Sequence, residues 1–238
     1  MIIAIVYTEE EKEAIRKFKE LSDDEVAGYW KHTHEGKMSF IKERIKSHYI
    51  ISQDYTCPYC RQRIQVDHKA TWDAEHIIPK DTHPRFMFEA QNLCVSCKDC
   101  NQEKLNKNVL KDDKKKKFPN ESEEYIFNHP HFDDYDENIK IISLAGFYLP
   151  RTDKGRKTVE ICGLLRFLYK FSNYEWGPSD VAPRIRALND ELMATNNGRE
   201  QGFLLAAISE IAQGGVKKLI EKEMEKHFGA TTPSTQEG

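Results

Sequence analysis

The chain has 238 residues, 39% hydrophobic and 32% charged, with a formal net charge of −3. That length suits one or two domains with a true core, and no apolar run reaches the ~20 residues of a membrane-spanning helix. Net acidity excludes the global signature of a nucleic-acid binder, so any polyanion site has to be local.

Six cysteines without a basic, cleavable leader point to metal binding in a reducing, cytoplasmic setting rather than to a disulfide scaffold. Residues 2–7 read as a short apolar strand. Residues 9–21 follow helical periodicity, with Ala14, Ile15, Phe18 and Leu21 on one side and Thr8 at the N-cap position. Further helices are expected over 23–31 and 39–51, the latter packing through Phe40, Ile41, Ile45, Tyr49 and Ile50. Residues 1–54 thus form an N-terminal helical bracing segment. His32, His34 and His48 lack ligand spacing and read as surface or capping residues.

Residues 55–118 carry the chemistry. Cys57-Pro58-Tyr59-Cys60 and Cys97-Lys98-Asp99-Cys100 supply four thiolates, the donor set of a closed structural Zn²⁺ site. Cys94 with Cys97 is a rival pairing. A strand is expected over 61–66 and another over 71–78, the second bearing Glu75-His76-Ile77-Ile78-Pro79. Neighbours on a strand point to opposite faces, so one of Glu75 and His76 can address a metal and the other a substrate. Asp73 shares the parity of Glu75 and is a second candidate carboxylate. Asn101 opens a helix expected over 101–109 and brings an amide oxygen. Carboxylate and amide oxygens suit Mg²⁺ or Mn²⁺. Asp67-His68 is a rival acid–histidine pair that lacks the following Ile-x-Pro. His83, Arg85 and Lys104 are candidates to touch a phosphate.

From Cys57 to Lys104 these residues resemble the HNH endonuclease family. The resemblance implies a ββα-metal unit in which Glu75 and Asn101 hold the catalytic metal and His76 is the general base. It makes Asn92 the loop asparagine that helps to hold the histidine. It gives Cys57, Cys60, Cys97 and Cys100 the structural zinc. The last position of the motif is Asn here. The implied activity is metal-dependent hydrolysis of phosphodiester bonds in nucleic acid, DNA foremost. A motif in the N-terminal half followed by a helical region also resembles HNH proteins of phage-defence systems of the Septu and retron type. That likeness implies an antiviral role and an ATPase or sensor partner. The cysteines and lysines alone admit another reading, a non-catalytic zinc module that docks nucleic acid or a protein.

Between Lys98 and Lys117 eight lysines face four acids, most of the excess lying at 114–117. Residues 121–137 then carry seven acids and no Lys or Arg, a reversal to which the sequence assigns no function. His129-Pro130-His131 reads as a packed loop rather than a metal site. A strand pair turning near Gly146 is expected over 139–149, and a core helix over 158–171. Helices over 181–194 and 202–228 complete a mainly helical region, 119–228, with breaks near Pro183 and Gly214-Gly215. Residues 229–238 read as a disordered tail. The fold class is α+β: a mainly helical chain carrying a small ββα unit.

Overall fold

The computed structural model describes residues 2–32, 37–66, 69–170 and 178–228. Two compact units divide the chain: Met1–Ile139 with Pro150–Leu164, and Lys140–Leu149 with Leu165–Gly238. Segments 1–54 and 55–118 therefore share one unit. Asp67, His68, His34, Phe171 and the tail 229–238 lie outside the described residues.

The first unit begins with an extended segment that joins no strand ladder. Its backbone groups are taken by side chains instead: the Ile5 amide donates to the Tyr49 hydroxyl at 3.1 Å, His48 Nε2 lies 2.9 Å from the Ile3 carbonyl, and Arg44 donates to the Val6 carbonyl. An apolar run thus passes for a strand in the sequence while its hydrogen bonds go elsewhere. Helix α1 (Glu9–Glu20) follows, with Thr8 and Glu11 forming a reciprocal capping box. Two short helices, α2 (Asp23–Val26) and α3 (Tyr29–His32), replace the single expected piece, divided at Gly28 with its φ of 72°. Helix α4 (Lys37–Ser52) buries Ile41, Ile45, Tyr49 and Ile50, whereas Phe40 is exposed.

The expected strand over 61–66 reduces to one isolated bridge, Thr56 to Arg63. Strands β1 (Trp72–His76) and β2 (Leu93–Cys97) pair antiparallel, in a register that sets Trp72 opposite Cys97 and His76 opposite Leu93. Helix α5 (Lys98–Lys104) leaves β2 directly and stops at Leu105, whose φ is 43°. It begins three residues before Asn101 and ends well short of Val109.

The acidic stretch has a structural role. Asp133 accepts from Lys154 Nζ and from the His129 amide, Glu124 pairs with Lys115, and Asp134 caps α6 (Tyr135–Asn138). Helix α7 (Asp153–Ile161) starts earlier than expected because Thr152 caps it, and a turn at Cys162-Gly163 ends it. Gly163 has φ 59°, and a Cβ there would lie 2.7 Å from a Glu103 carboxylate oxygen. The expected core helix over 158–171 is therefore broken there.

In the second unit β3 (Ile139–Ile142) and β4 (Phe147–Pro150) pair about the left-handed Gly146, as the sequence implies. Helices α8 (Arg166–Lys170), α9 (Pro178–Ala194) and α10 (Gly198–Phe228) follow. Leu149, Leu168, Leu188, Leu204 and Ile211 are among its core residues. Helix α9 runs through Pro183, and α10 runs through Gly214-Gly215. Pro183 sits within the first two turns of α9, where it forfeits one hydrogen bond. Each glycine costs about 1 kcal/mol, which a helix of this length absorbs.

Candidate metal centre and histidine site

Two turns bring the cysteines together. The Cys57–Cys60 turn is closed by the Arg61 amide on the Cys57 carbonyl at 2.8 Å, with Arg61 at φ 57°. Cys97 ends β2 and caps α5, and Cys100 lies one turn further along. All four sulfurs are buried and mutually within 4.8 Å, and Cys60 Sγ is 3.8 Å from Cys97 Sγ. A tetrahedral zinc with Zn–S bonds of ~2.3 Å sets its sulfurs about 3.8 Å apart. Hydrogen bonds shared among the four sulfurs push the Cys97 thiol down and those of Cys60 and Cys100 up, so the cluster titrates as one unit. The four cysteines thus fit a zinc ion. Cys94 is outside the cluster: its sulfur is 3.9 Å from the Tyr59 hydroxyl.

The two faces of β1 differ. On one, Glu75 is 5% exposed and its Oε1 lies 2.6 Å from Lys104 Nζ. The Tyr59 hydroxyl, inside the first cysteine turn, is 3.4 Å from the same oxygen. Lys104 is fully buried and also donates to the His76 carbonyl at 3.0 Å. Two residues back, Asp73 Oδ2 accepts from Asn101 Nδ2 at 2.9 Å, and both residues are partly exposed.

The other face holds His76. Its ring meets the edge of Trp30 at 4.5 Å, and Nε2 lies 3.1 Å from the Met87 carbonyl oxygen. That carbonyl can only accept, so Nε2 carries the proton and Nδ1 the lone pair. Among the described residues no hydrogen bond reaches Nδ1. Burial first, then the charges of Lys80, Lys104 and Lys42, push the His76 pKa down to about 3. The imidazole is therefore neutral across the physiological range.

The loop that supplies Met87 is pinned by Asn92. This fully buried amide accepts from the Ile78 amide at 2.7 Å and donates to the carbonyls of Ile78 and Phe86 at 3.2 and 3.0 Å. Asn92 thus holds the loop next to Met87 rather than the imidazole itself.

The candidate phosphate contacts are otherwise engaged. Lys104 is sealed against Glu75, which corrects its reading as a lysine free to meet a phosphate. Arg85 donates to the Lys19 and Leu21 carbonyls and pairs with Asp23, tying the loop to α1 and α2. His83 takes a Thr82 hydroxyl at 3.0 Å and stacks on Phe86. Sequence reasoning missed Trp30, Lys42, Lys80 and Met87. Lys42 lies over the Trp30 ring, 5.1 Å from its centroid. None of the four has a motif, and only Lys80, four residues after His76, was near enough in sequence to be suspected. Among the described residues the four cysteines form the only cluster of three or more His, Cys, Asp or Glu side chains with metal-binding spacing. His129 and His131 are packed, the latter with Nε2 at 2.8 Å from the Leu93 carbonyl. No helix among the described residues is long and apolar enough to cross a membrane.

No family model matches the chain. It is 27% identical over 205 residues to the Septu protein PtuB of Bacillus thuringiensis, an alignment that covers 84% of this chain and 70% of that protein.

Proposed function

We propose that the chain is a metal-dependent HNH-type endonuclease, acting on DNA as part of an antiphage defence system. The observation that carries the reading is the setting of His76. A neutral imidazole hangs by Nε2 from a loop carbonyl, at the edge of a ββα unit bracketed by four cysteines. A general base needs an acceptor nitrogen of fixed orientation, and this arrangement supplies Nδ1 in that role. His76 takes a proton from the water that attacks phosphorus. Lys80 and Lys42 give the site a positive field toward the phosphate. A phosphodiester anion drawn against them offsets that field and raises the proton affinity of His76 toward a useful range. Asn92 keeps the loop, and with it the ring, in place.

A β1 carboxylate and Asn101 would hold a divalent cation, which would supply Lewis-acid stabilisation of the charge that develops at the phosphate. The zinc held by Cys57, Cys60, Cys97 and Cys100 is structural and stabilises a unit too small to keep its geometry by core packing alone. The likeness to a Septu protein supports the defence role. It also supports a partner protein, and the partner in this proposal is an ATPase or sensor that turns the nuclease on.

The test is cleavage of supercoiled plasmid with Mg²⁺ or Mn²⁺, wild type beside His76→Ala, each alone and with the proteins encoded next to it. Nicking or linearisation by the wild type and its loss in the variant are expected. Equal cleavage by both removes His76 as the base. Metal-dependent cleavage by neither, with every neighbouring protein supplied, leaves a zinc-bearing docking module in its place.

A further inference from the structure

Resting on the nuclease reading, we propose that the catalytic cation of this chain is held by Asp73 and Asn101. Glu75, the carboxylate directly before the histidine, is a buried counter-ion that fixes Lys104 beneath the His76 backbone.

Asp73 and Asn101 already meet across strand and helix, Asn101 Nδ2 to Asp73 Oδ2 at 2.9 Å. Both are partly exposed. Rotation of the Asn101 amide exchanges its NH₂ for an oxygen, which places an amide oxygen and a carboxylate on one point with solvent alongside. A hard cation such as Mg²⁺ or Mn²⁺ keeps several of its waters and needs such an open setting. Glu75 offers the reverse. It is 5% exposed, and its Oε1 is committed to Lys104 Nζ at 2.6 Å. Lys104 is fully buried, so its charge is unscreened by solvent. A dication at Glu75 would be set at close range against that ammonium.

The arrangement also gives Lys104 a positioning role. One ammonium ties the Glu75 carboxylate and the His76 carbonyl together from the last turn of α5. The helix that brings Asn101 is thereby clamped to the strand that brings His76.

The experiment is Mn²⁺ binding to the zinc-loaded full chain, followed by calorimetry and by the spin-resonance signal of free Mn²⁺. Three variants are compared with the wild type: Asp73→Asn, Glu75→Gln, and the charge-free pair Glu75→Leu with Lys104→Met. Zinc content and circular dichroism report folding of each. Asp73→Asn is expected to weaken Mn²⁺ binding by ~10-fold or more, while Glu75→Gln and the double variant stay within ~2-fold of wild type on the same scale. Glu75→Gln keeps a hydrogen-bond acceptor for Lys104, so it serves even where the double variant fails to fold. Loss of Mn²⁺ binding in Glu75→Gln with retention in Asp73→Asn overturns the assignment and returns the cation to Glu75. Absence of Mn²⁺ binding by the wild type overturns it too. A return of the cation to Glu75 leaves the nuclease reading intact, and the His76→Ala plasmid assay tests that reading separately.

Discussion

The two faces of β1 place ionisable groups in opposite regimes. On one, buried Glu75 has a fully buried partner, Lys104 Nζ, 2.6 Å from its Oε1. On the other, His76 is as deeply buried and has no counter-ion among the described residues, so burial keeps it neutral. A buried charge persists only with a partner; a buried group without one gives up its charge. The same strand therefore holds a fixed ion pair and a neutral base one residue apart. Neither sequence position alone decides which becomes which: α5 brings Lys104 to the first face, whereas α3 and the 77–92 loop line the second.

The comparison breaks most completely if the frame around both faces is removed. Cys57→Ser, or chelation of the zinc, leaves three buried sulfurs without a full donor set and frees the turn that carries Tyr59 toward Glu75. Structural zinc sites contribute ~10 kcal/mol or more of folding free energy in small units. The expected outcome is loss of about one zinc per chain, with unfolding of the ββα region seen by hydrogen exchange. A folded, zinc-free Cys57→Ser protein would show that the cysteines are incidental to both faces.

The next break is confined to one face. Lys104→Met removes the ammonium and leaves Glu75 buried and unpaired, at a cost of about 3–5 kcal/mol. Adding Glu75→Leu removes the stranded charge and should restore most of the loss, because well-packed apolar replacements of buried pairs are often neutral. Denaturant midpoints of the two variants check this. If Lys104→Met alone loses under about 1 kcal/mol, as an exposed pair would, the buried clamp is not what holds α5 to β1.

Much of this frame is legible in the sequence. Cys-x-x-Cys spacing identifies the four ligands, and the alternation around Glu75-His76 identifies β1 and its two-faced character. What stays hidden depends on distant packing. The sequence shows Lys104 one turn after Asn101 but not that α5 turns it inward onto Glu75. Arg85 sits in a loop where any arginine looks free, yet its partners lie more than sixty positions earlier in the chain. Trp30 reaches His76 from the one-turn helix α3, too short for any periodicity to read. Gly163 breaks a helix that hydrophobic periodicity extends, because a left-handed turn there lets Glu103 approach. In α10 the opposite happens, and two adjacent glycines are carried by the turns on either side.

The smallest expected effect sharpens the contrast on the histidine face. The folded His76 titrates near 3 and an unfolded histidine near ~6.5, so between those values the unfolded chain binds the extra proton. The stability that comes from keeping His76 neutral is present above the unfolded value and is lost progressively as pH falls toward the folded one. From pH ~7.5 to ~5.5 one such histidine accounts for about 1.4 kcal/mol. His129 and His131 are shifted the same way by burial and add to the slope. Acidification also weakens thiolate binding of zinc, but equally in a variant with the cysteines intact. The discriminating comparison is therefore wild type against His76→Gln, unfolded in urea at both pH values with zinc in excess. The wild type should lose about 1.4 kcal/mol more than His76→Gln over that interval. Equal losses would mean that His76 takes up its proton in the folded state, as a histidine beside a carboxylate would, and the difference between the two faces of β1 would disappear.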